Sequence, residues 1–112
     1  MMEINIERCF AFIQTEAANL GKHEGDVIRL EGKVKATKAA LMEASDSSSA
    51  AMKEVDAYRH PAYMECVAEL AEATAKKIQL GILIKAAFQK VECHRSQEYV
   101  KRQELRSLGG QT

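Results

Sequence analysis

Three lysines in the first half of the sequence, Lys33, Lys35 and Lys38, are the side chains best placed by type and spacing to bind an anion. They lie beside an apolar series that runs from Leu30 to Leu41. Only Lys35 has a carboxylate four residues away, on Glu31, so this basic face has few local ion-pair partners. Such a face is suited to the phosphate backbone of a nucleic acid. A helix face that is merely solvated is the alternative interpretation.

A second basic stretch lies near the C-terminal end. Lys101 and Arg102 adjoin Tyr99, whose ring could stack on a base. The alternative is a solvated helix surface with local ion pairs, since Glu98 and Arg102 stand at i,i+4. Likewise, tyrosines are commonly half-buried core or interface residues. The basic residues of this stretch are Lys85, Lys90, Arg95, Lys101, Arg102 and Arg106. The candidate nucleic-acid-binding residues of the whole chain are Arg29, Lys33, Lys35, Lys38, Lys101 and Arg102.

No pattern in the sequence indicates a catalytic or metal centre. Cys93 and His94 are adjacent, but neighbouring helical residues point about 100° apart, and no second pair supports a zinc site. His23 falls on an apolar seam, where a buried polar residue often sets the oligomeric state. The motifs of hydrolases, nucleotide-binding loops and metalloproteases are missing. We therefore predict that the protein is not an enzyme and uses no cofactor and no metal.

The composition indicates a small helical domain that assembles with other copies. Sixteen basic and sixteen acidic residues leave no net charge, and no secretory signal accompanies the three cysteines. We therefore predict a cytoplasmic protein that does not enter a membrane. There is no tryptophan, and much of the hydrophobic share is alanine, so the core is thin and is expected to be completed by oligomerisation. We expect one domain, residues 1–112, in a homo-oligomer.

A heptad pattern in the first 44 residues predicts a helical seam. Its seam positions are Ile6, Cys9, Ile13, Glu16, Leu20, His23, Val27, Leu30, Val34, Thr37, Leu41 and Ala44. Two glycines interrupt the pattern, and we predict a bend or short turn, with Gly21 ending one helix and Asp26 capping the next. One uninterrupted helix is the alternative, at a cost of about 1 kcal/mol for each glycine.

The second half predicts a loop, a short helix and one long helix. Ser45–Ala50 is rich in serine, which favours a loop, and a short helix follows over Met52–Tyr58. Pro61 suits the start of a helix, and residues compatible with helix continue over Ala62–Leu105. The glycines beyond that range predict a frayed tail. The apolar positions of the long helix are Tyr63, Val67, Leu70, Thr74, Ile78, Leu80, Ile84, Ala87, Phe88 and Val91.

Together these elements predict an all-α fold. We expect an elongated antiparallel helical hairpin with a bent N-terminal arm (1–44), a loop and short middle helix (45–61), one long C-terminal helix (62–106) and a tail (107–112). So long a helix must bury its apolar side against the other arm or against other subunits. The predicted oligomer interface comprises Val27, Leu30, Val34, Leu41, Ile84 and Phe88. An amphipathic helix in a monomeric bundle is the alternative for the first seam.

The order of several short motifs resembles the UvsY-type recombination mediators of T-even phages. The shared features are EAAN at Glu16–Asn19, KH at Lys22–His23, and the Lys/Ala/Leu-rich helix RLEGKVKATKAALMEAS at Arg29–Ser45. A serine-containing break and a long second helical half, with GIL at Gly81–Leu83, follow in the same order. The resemblance covers the larger part of the chain, with gaps.

This resemblance implies a ring-like homo-oligomer in the cytoplasm of an infected bacterium. It implies that the Lys-rich helix binds single-stranded DNA and that the oligomer helps to load a RecA-like recombinase. A single-stranded DNA-binding protein is a further candidate partner. The lysines of the matched segment are Lys33, Lys35 and Lys38.

Two functional hypotheses of different classes follow. The first is a non-enzymatic mediator of recombination or replication that binds single-stranded DNA as a homo-oligomer and works with a RecA-like recombinase. The second is a phage protein-interaction module that inhibits a host defence complex or acts as an assembly scaffold, using the acidic belt between Glu54 and Glu72. Removal of the lysines should impair the first function, and reversal of the acidic charges should impair the second.

Overall fold

The structure, a computed structural model, describes residues 5–109. In this range the chain folds into three α-helices without a β-strand, so the predicted all-α class is confirmed. Helix α1 spans Ile6–Ala44, α2 spans Ala50–Arg59 and α3 spans Pro61–Gly109. The single proline and the small number of glycines leave most of the backbone free to form helix, which explains why so little of the chain is loop.

Helix α1 is continuous through the stretch where the sequence predicted a break. The side chain of Asn5 caps its start by accepting a hydrogen bond from the Arg8 N–H at 3.0 Å. The predicted turn at Gly21–Asp26 is wrong, because the backbone stays helical there and no described glycine has positive φ. Seam residues on both sides of the glycines pack on one face, and that packing outweighs the low helix propensity of glycine.

The serine-rich loop between α1 and α2 is held by its own hydroxyl groups. Ser49 caps α2 by accepting the Met52 N–H at 3.2 Å. Ser45 and Ser47 donate their hydroxyls to Asp56 Oδ2, at 2.7 and 2.6 Å. These two hydrogen bonds, that from Ser47 first, lower the pKa of the Asp56 carboxyl. The predicted break at the serines is therefore confirmed, and α2 extends beyond the predicted short helix at both ends.

Helix α3 begins at Pro61, as the fixed φ of proline at a first helical position predicts. His60 ends α2 in extended backbone, and its Nδ1 accepts the Ala62 N–H at 3.1 Å. The helix continues without interruption to Gly109, so residues 107–109, which were predicted to belong to a tail, are helical. Residues 110–112 of that predicted tail lie outside the described residues.

The chain divides into two compact units. One unit combines residues 5–19 with residues 80–109, and the second unit spans Leu20–Gln79. Inside the second unit α1 and α3 are antiparallel, because Lys33 contacts Glu69 while Thr37, further along α1, contacts Cys66. The buried residues are Val27, Leu30, Ala57 and Cys66 in the second unit, and Ala87 and Val91 in the first.

The packed faces of the two long helices differ in how well the sequence predicted them. All seam positions of α1 except Ala44 are buried or half-buried, which confirms the heptad. On α3, however, Val67, Ile78 and Phe88 are 40%, 56% and 49% exposed rather than packed. Ala87 and Val91 are buried as predicted, and the packed face of α3 also holds Cys66, which was not among the predicted positions.

Candidate nucleic-acid interface

Two of the three lysines predicted to bind an anion are engaged inside the chain. Lys33 Nζ lies 3.2 Å from Glu69 Oε2 on α3, and Lys38 Nζ lies 2.9 Å from Glu54 Oε1 on α2. These two lysines have no carboxylate partner within α1, as their spacing predicts, but they are paired with carboxylates of other helices. The partners are far away in sequence, so the spacing within one helix does not reveal them.

Lys38 belongs to a closed polar cluster with Glu54 and Tyr58. Its ammonium donates to the Tyr58 hydroxyl at 2.8 Å, and that hydroxyl donates to Glu54 at 2.8 Å. Hydrogen bonds to Tyr58 and to Glu54 raise the pKa of Lys38 above its usual range. The hydrogen bonds from Lys38 and Tyr58 lower the pKa of Glu54. The cluster joins α1 to α2, so Lys38 has a structural role.

The tyrosines of the second unit share in that role. The Lys38 ammonium lies 4.7 Å from the centre of the Tyr58 ring, within the range of a cation–π contact. The Tyr58 and Tyr63 rings meet edge to face, with centroids 5.3 Å apart. Their contacts are therefore made within the protein, and these two rings are poor candidates for stacking on a base.

The remaining α1 candidates keep their charge at the surface. Arg29 Nη2 lies 3.7 Å from Asp26 Oδ1, and both side chains are more than half exposed, so this pair is weak. Lys35 is exposed and makes no ion pair with any residue that the structure describes. Among the three lysines of the predicted basic face, only Lys35 has no ion pair with a residue of the range 5–109, so that face offers much less free charge than predicted.

The strongest basic feature is a row of side chains near the end of α3, which we term the arginine stripe: Arg95, Tyr99, Arg102 and Arg106. Relative to Tyr99 these arginines stand at positions −4, +3 and +7, and this spacing places all four side chains on one side of a helix. All four residues are exposed, Tyr99 by 64%. Of this group, the sequence-based candidate list contained only Arg102.

The surroundings of the arginine stripe leave its charge available. Arg95 is 3.3 Å from Glu92 in a surface pair whose side chains are both about two-thirds exposed, and such pairs exchange partners at little cost. Arg102 makes no ion pair within residues 5–109, whereas Lys101 lies 3.9 Å from Glu98. A shallow depression here is lined by His94, Arg95, Glu98, Tyr99 and Arg102. The helical spacing R-xxx-Y-xx-R-xxx-R was the signal that could have identified the stripe.

The predicted oligomer-interface residues mostly face the interior of the chain. Val27 and Leu30 are buried, and Val34, Leu41 and Ile84 are half-buried, so their side chains are largely covered before any second copy binds. Phe88 is exposed. The heptad seam of α1 is thus an intramolecular seam in this chain.

Other kinds of site were sought in the same residues. The part of the chain that the structure describes contains no group of three or more His, Cys, Asp or Glu side chains that could hold a metal ion. Cys9, Cys66 and Cys93 are free thiols. None of the three described helices combines the length and the apolar character that crossing a bilayer requires.

Comparison with known proteins adds no relative to this description. No protein-family model matches the chain, and neither the curated proteins nor the solved structures contain a significant match. A functional proposal therefore depends on the chemistry of the residues and on the resemblance of their short motifs.

Proposed function

We propose that this protein is a non-enzymatic mediator that binds single-stranded DNA as a homo-oligomer and assists a RecA-like recombinase in recombination or replication. The observation that supports this proposal is the arginine stripe, in which three guanidinium groups flank an exposed tyrosine. Guanidinium forks bind phosphate oxygens in a bidentate manner, and an exposed aromatic ring offers a stacking surface to an unpaired base. The combination suits a single strand because the bases of a duplex are already stacked.

The dimensions of the stripe fit a short run of nucleotides. Arg95 and Arg106 are separated by about 16 Å along the helix axis. A stacked strand that rises about 3.4 Å per nucleotide would place roughly five nucleotides along this length. Phosphate and stacking contacts read no base edges, so the proposed binding has little sequence preference. Assembly into a homo-oligomer multiplies a few contacts per subunit into useful affinity.

The recombinase partner follows from the resemblance to the UvsY-type mediators. That resemblance includes the Lys-rich segment Arg29–Ser45, whose lysines would supply the DNA contacts. In this chain Lys33 and Lys38 already have carboxylate partners, so we place the principal DNA contact on α3 and leave Lys35 as the contributor from α1. A single-stranded DNA-binding protein remains a further proposed partner.

Fluorescence anisotropy of a labelled, mixed-sequence single-stranded oligonucleotide tests the proposal. Three phosphate contacts per subunit predict that affinity falls about 20-fold between about 50 and about 200 mM salt. Competition by a duplex of the same sequence should be weaker than competition by the unlabelled single strand. Failure to bind at the lower salt concentration would rule out the mediator function.

The second candidate, a protein-interaction module that uses the acidic belt, has less support. Glu54 and Glu69 are paired with lysines of α1, and Glu72 lies 3.5 Å from Lys76. The belt therefore offers less free negative charge than its sequence indicates. If the chain does not bind DNA, charge reversal at Glu65 combined with a pull-down is the experiment that tests this alternative.

A further inference from the structure

One row of positions on α3 is packed along its first part and exposed along its last part. Within the first unit it advances in alternating steps of three and four residues, the spacing of a heptad. We term it the α3 row: Ile84, Ala87, Val91, His94, Glu98, Lys101, Leu105 and Leu108. Its positions up to Glu98 are buried or half-buried, and its last three are exposed. The heptad spacing thus continues where the packing stops.

The lengths of the two segments in this unit explain the change. The unit combines residues 5–19 with residues 80–109. The α1 part, Ile6–Asn19, is about 21 Å long, whereas the α3 part is about 45 Å long. The shorter segment cannot cover the whole α3 row. Leu105 and Leu108 are therefore left 68% and 64% exposed.

Continuity with the packed part of the α3 row identifies a helix as the fitting occupant of its exposed end. The same row already packs against a helix, the start of α1, as heptad positions do. Leu105 and Leu108 stand at i,i+3, so their side chains are neighbours on one side of α3. Paired apolar anchors at this spacing are typical of helix-to-helix recognition.

The charge around the exposed end of the α3 row favours an acidic occupant. Lys101 is itself a position of the row, and Arg102 borders it, about 60° around the helix from Leu105. Residues 99–109 hold three cations and a single acid, Glu104. The same end of a second copy would bring further cations and would be repelled, whereas carboxylates beside an apolar stripe would be attracted.

We propose that the exposed end of the α3 row docks an acidic amphipathic helix of a partner protein. Leu105 and Leu108 would pack on its apolar stripe, and Lys101 and Arg102 would pair with its carboxylates. The inference rests on the proposed function in one respect, because Arg102 also belongs to the arginine stripe. The acidic helix and single-stranded DNA therefore compete for Arg102, so the partner loosens the hold on DNA.

The two ligands nevertheless use different apolar groups. Tyr99, the proposed stacking surface for a base, points about 120° away from Leu105 around the helix. Leu105 and Leu108 therefore belong to the docking surface and not to the stacking surface. This separation allows the two kinds of binding to be removed one at a time.

Fluorescence anisotropy with a labelled synthetic peptide tests the docking. The probe is an amphipathic helical peptide with leucine at heptad positions and glutamate at the flanking positions. One control peptide has lysine in place of glutamate, and a second has the same composition with the leucines dispersed around the helix. The acidic amphipathic peptide should bind the wild-type chain at least about tenfold more tightly than either control. Unlabelled single-stranded DNA should displace it.

Matched variants of the protein separate the two ligands. Leu105→Ala/Leu108→Ala should weaken peptide binding about tenfold and change the affinity for single-stranded DNA by less than about twofold. Tyr99→Ala should do the reverse, with DNA binding weakened about tenfold and peptide binding changed by less than about twofold. Arg102→Ala should weaken both about fivefold. All four side chains are exposed, so the melting temperature should stay that of the wild type.

Equal binding of the three peptides, or unchanged peptide binding by the double leucine variant, would overturn the docking. A lower melting temperature of that variant would assign the row to the fold of the chain itself, and a lower mass in sedimentation would assign it to a second copy. Binding to phosphatidylglycerol vesicles in place of the peptide would assign it to a lipid surface. Each of these three results would also overturn the docking. Peptide binding without DNA binding would reject only the mediator function, and DNA binding without peptide binding would reject only this inference.

Discussion

Two basic regions of this protein have similar composition and different roles. In the Lys-rich segment of α1, Lys33 and Lys38 form ion pairs with residues of other helices and hold the second unit together. In the arginine stripe of α3, Arg102 and Arg106 project from a stretch in which residues 99–109 are all exposed. Basic residues over a packed seam acquire carboxylate partners from the neighbouring helix. Those on a helix end without such a neighbour stay available for a ligand.

The largest expected effect tests the packing beneath each region. Leu30, in the Lys-rich segment, is 5% exposed, so Leu30→Asp buries an unpaired charge and should lower the free energy of unfolding by about 3 kcal/mol or more. Leu105, near the arginine stripe, is 68% exposed, and Leu105→Asp should change the free energy of unfolding by less than about 0.5 kcal/mol. Urea denaturation followed by circular dichroism measures both. Equal destabilisation by the two variants would contradict the view that the Lys-rich segment is packed and the arginine stripe is exposed.

The tyrosines of the two regions provide the next test. Tyr99→Ala should weaken single-stranded DNA binding about tenfold through loss of base stacking, and Tyr99→Phe should preserve binding because the ring remains. Tyr58→Phe removes the hydroxyl that links Lys38 to Glu54, so it should lower the melting temperature without changing DNA affinity. Anisotropy and thermal melting of the three variants test these expectations. A loss of DNA affinity in Tyr58→Phe would contradict the assignment of DNA binding to the arginine stripe.

Part of the pH dependence of stability should come from the cluster of Lys38, Glu54 and Tyr58. The pKa of Glu54 is below its usual 4.5 in the folded chain, because Lys38 and Tyr58 stabilise the carboxylate. A depressed carboxyl pKa contributes stability above the unfolded value, and that contribution is lost as the pH falls through the folded value. The difference in melting temperature between wild type and Glu54→Gln should therefore shrink as the pH falls below about 4.5. A difference that is constant from pH 6 to pH 3 would show that the cluster does not form.

The smallest expected effect is a stabilisation within the Lys-rich segment. Gly32 is exposed, has no positive φ, and an added Cβ would meet nothing within 4 Å. Gly32→Ala should therefore raise the free energy of unfolding by about 0.5–1 kcal/mol, without altering DNA binding. Denaturant titration measures the free energy of unfolding, and fluorescence anisotropy measures DNA binding. A destabilised variant would indicate that this surface is covered in the native assembly.

Local patterns predicted the elements of the fold well. The heptad of α1, the serine break and the start of α3 at Pro61 each depend on residues close together in sequence. The turn expected at Gly21 failed because packing along the whole seam overrides the propensity of single glycines. The packed face of α3 was partly missed because Cys66, which was not among the predicted positions, is buried, while larger residues such as Ile78 stay exposed.

The candidate site was harder to predict than the fold. The partner of Lys33 is Glu69, 36 residues further along the chain, and no pattern within one helix reveals such a contact. The availability of a cation depends on how the helices are packed, and its presence depends on sequence alone. The arginine stripe is visible in the sequence by its helical spacing, but its exposure is a result of the fold.

The most direct test of the central claim compares the two basic regions in one DNA-binding experiment. The variant Arg95→Ala/Arg102→Ala/Arg106→Ala and the variant Lys33→Ala/Lys35→Ala/Lys38→Ala remove three cations each. We predict that the arginine variant loses about 100-fold or more in affinity for single-stranded DNA with its fold intact. The lysine variant should lose less than about tenfold in affinity, since only one of its three cations is free. It should also melt at a lower temperature, because it lacks the ion pairs of Lys33 and Lys38. The opposite ranking of the two affinities would contradict the assignment of DNA binding to the arginine stripe.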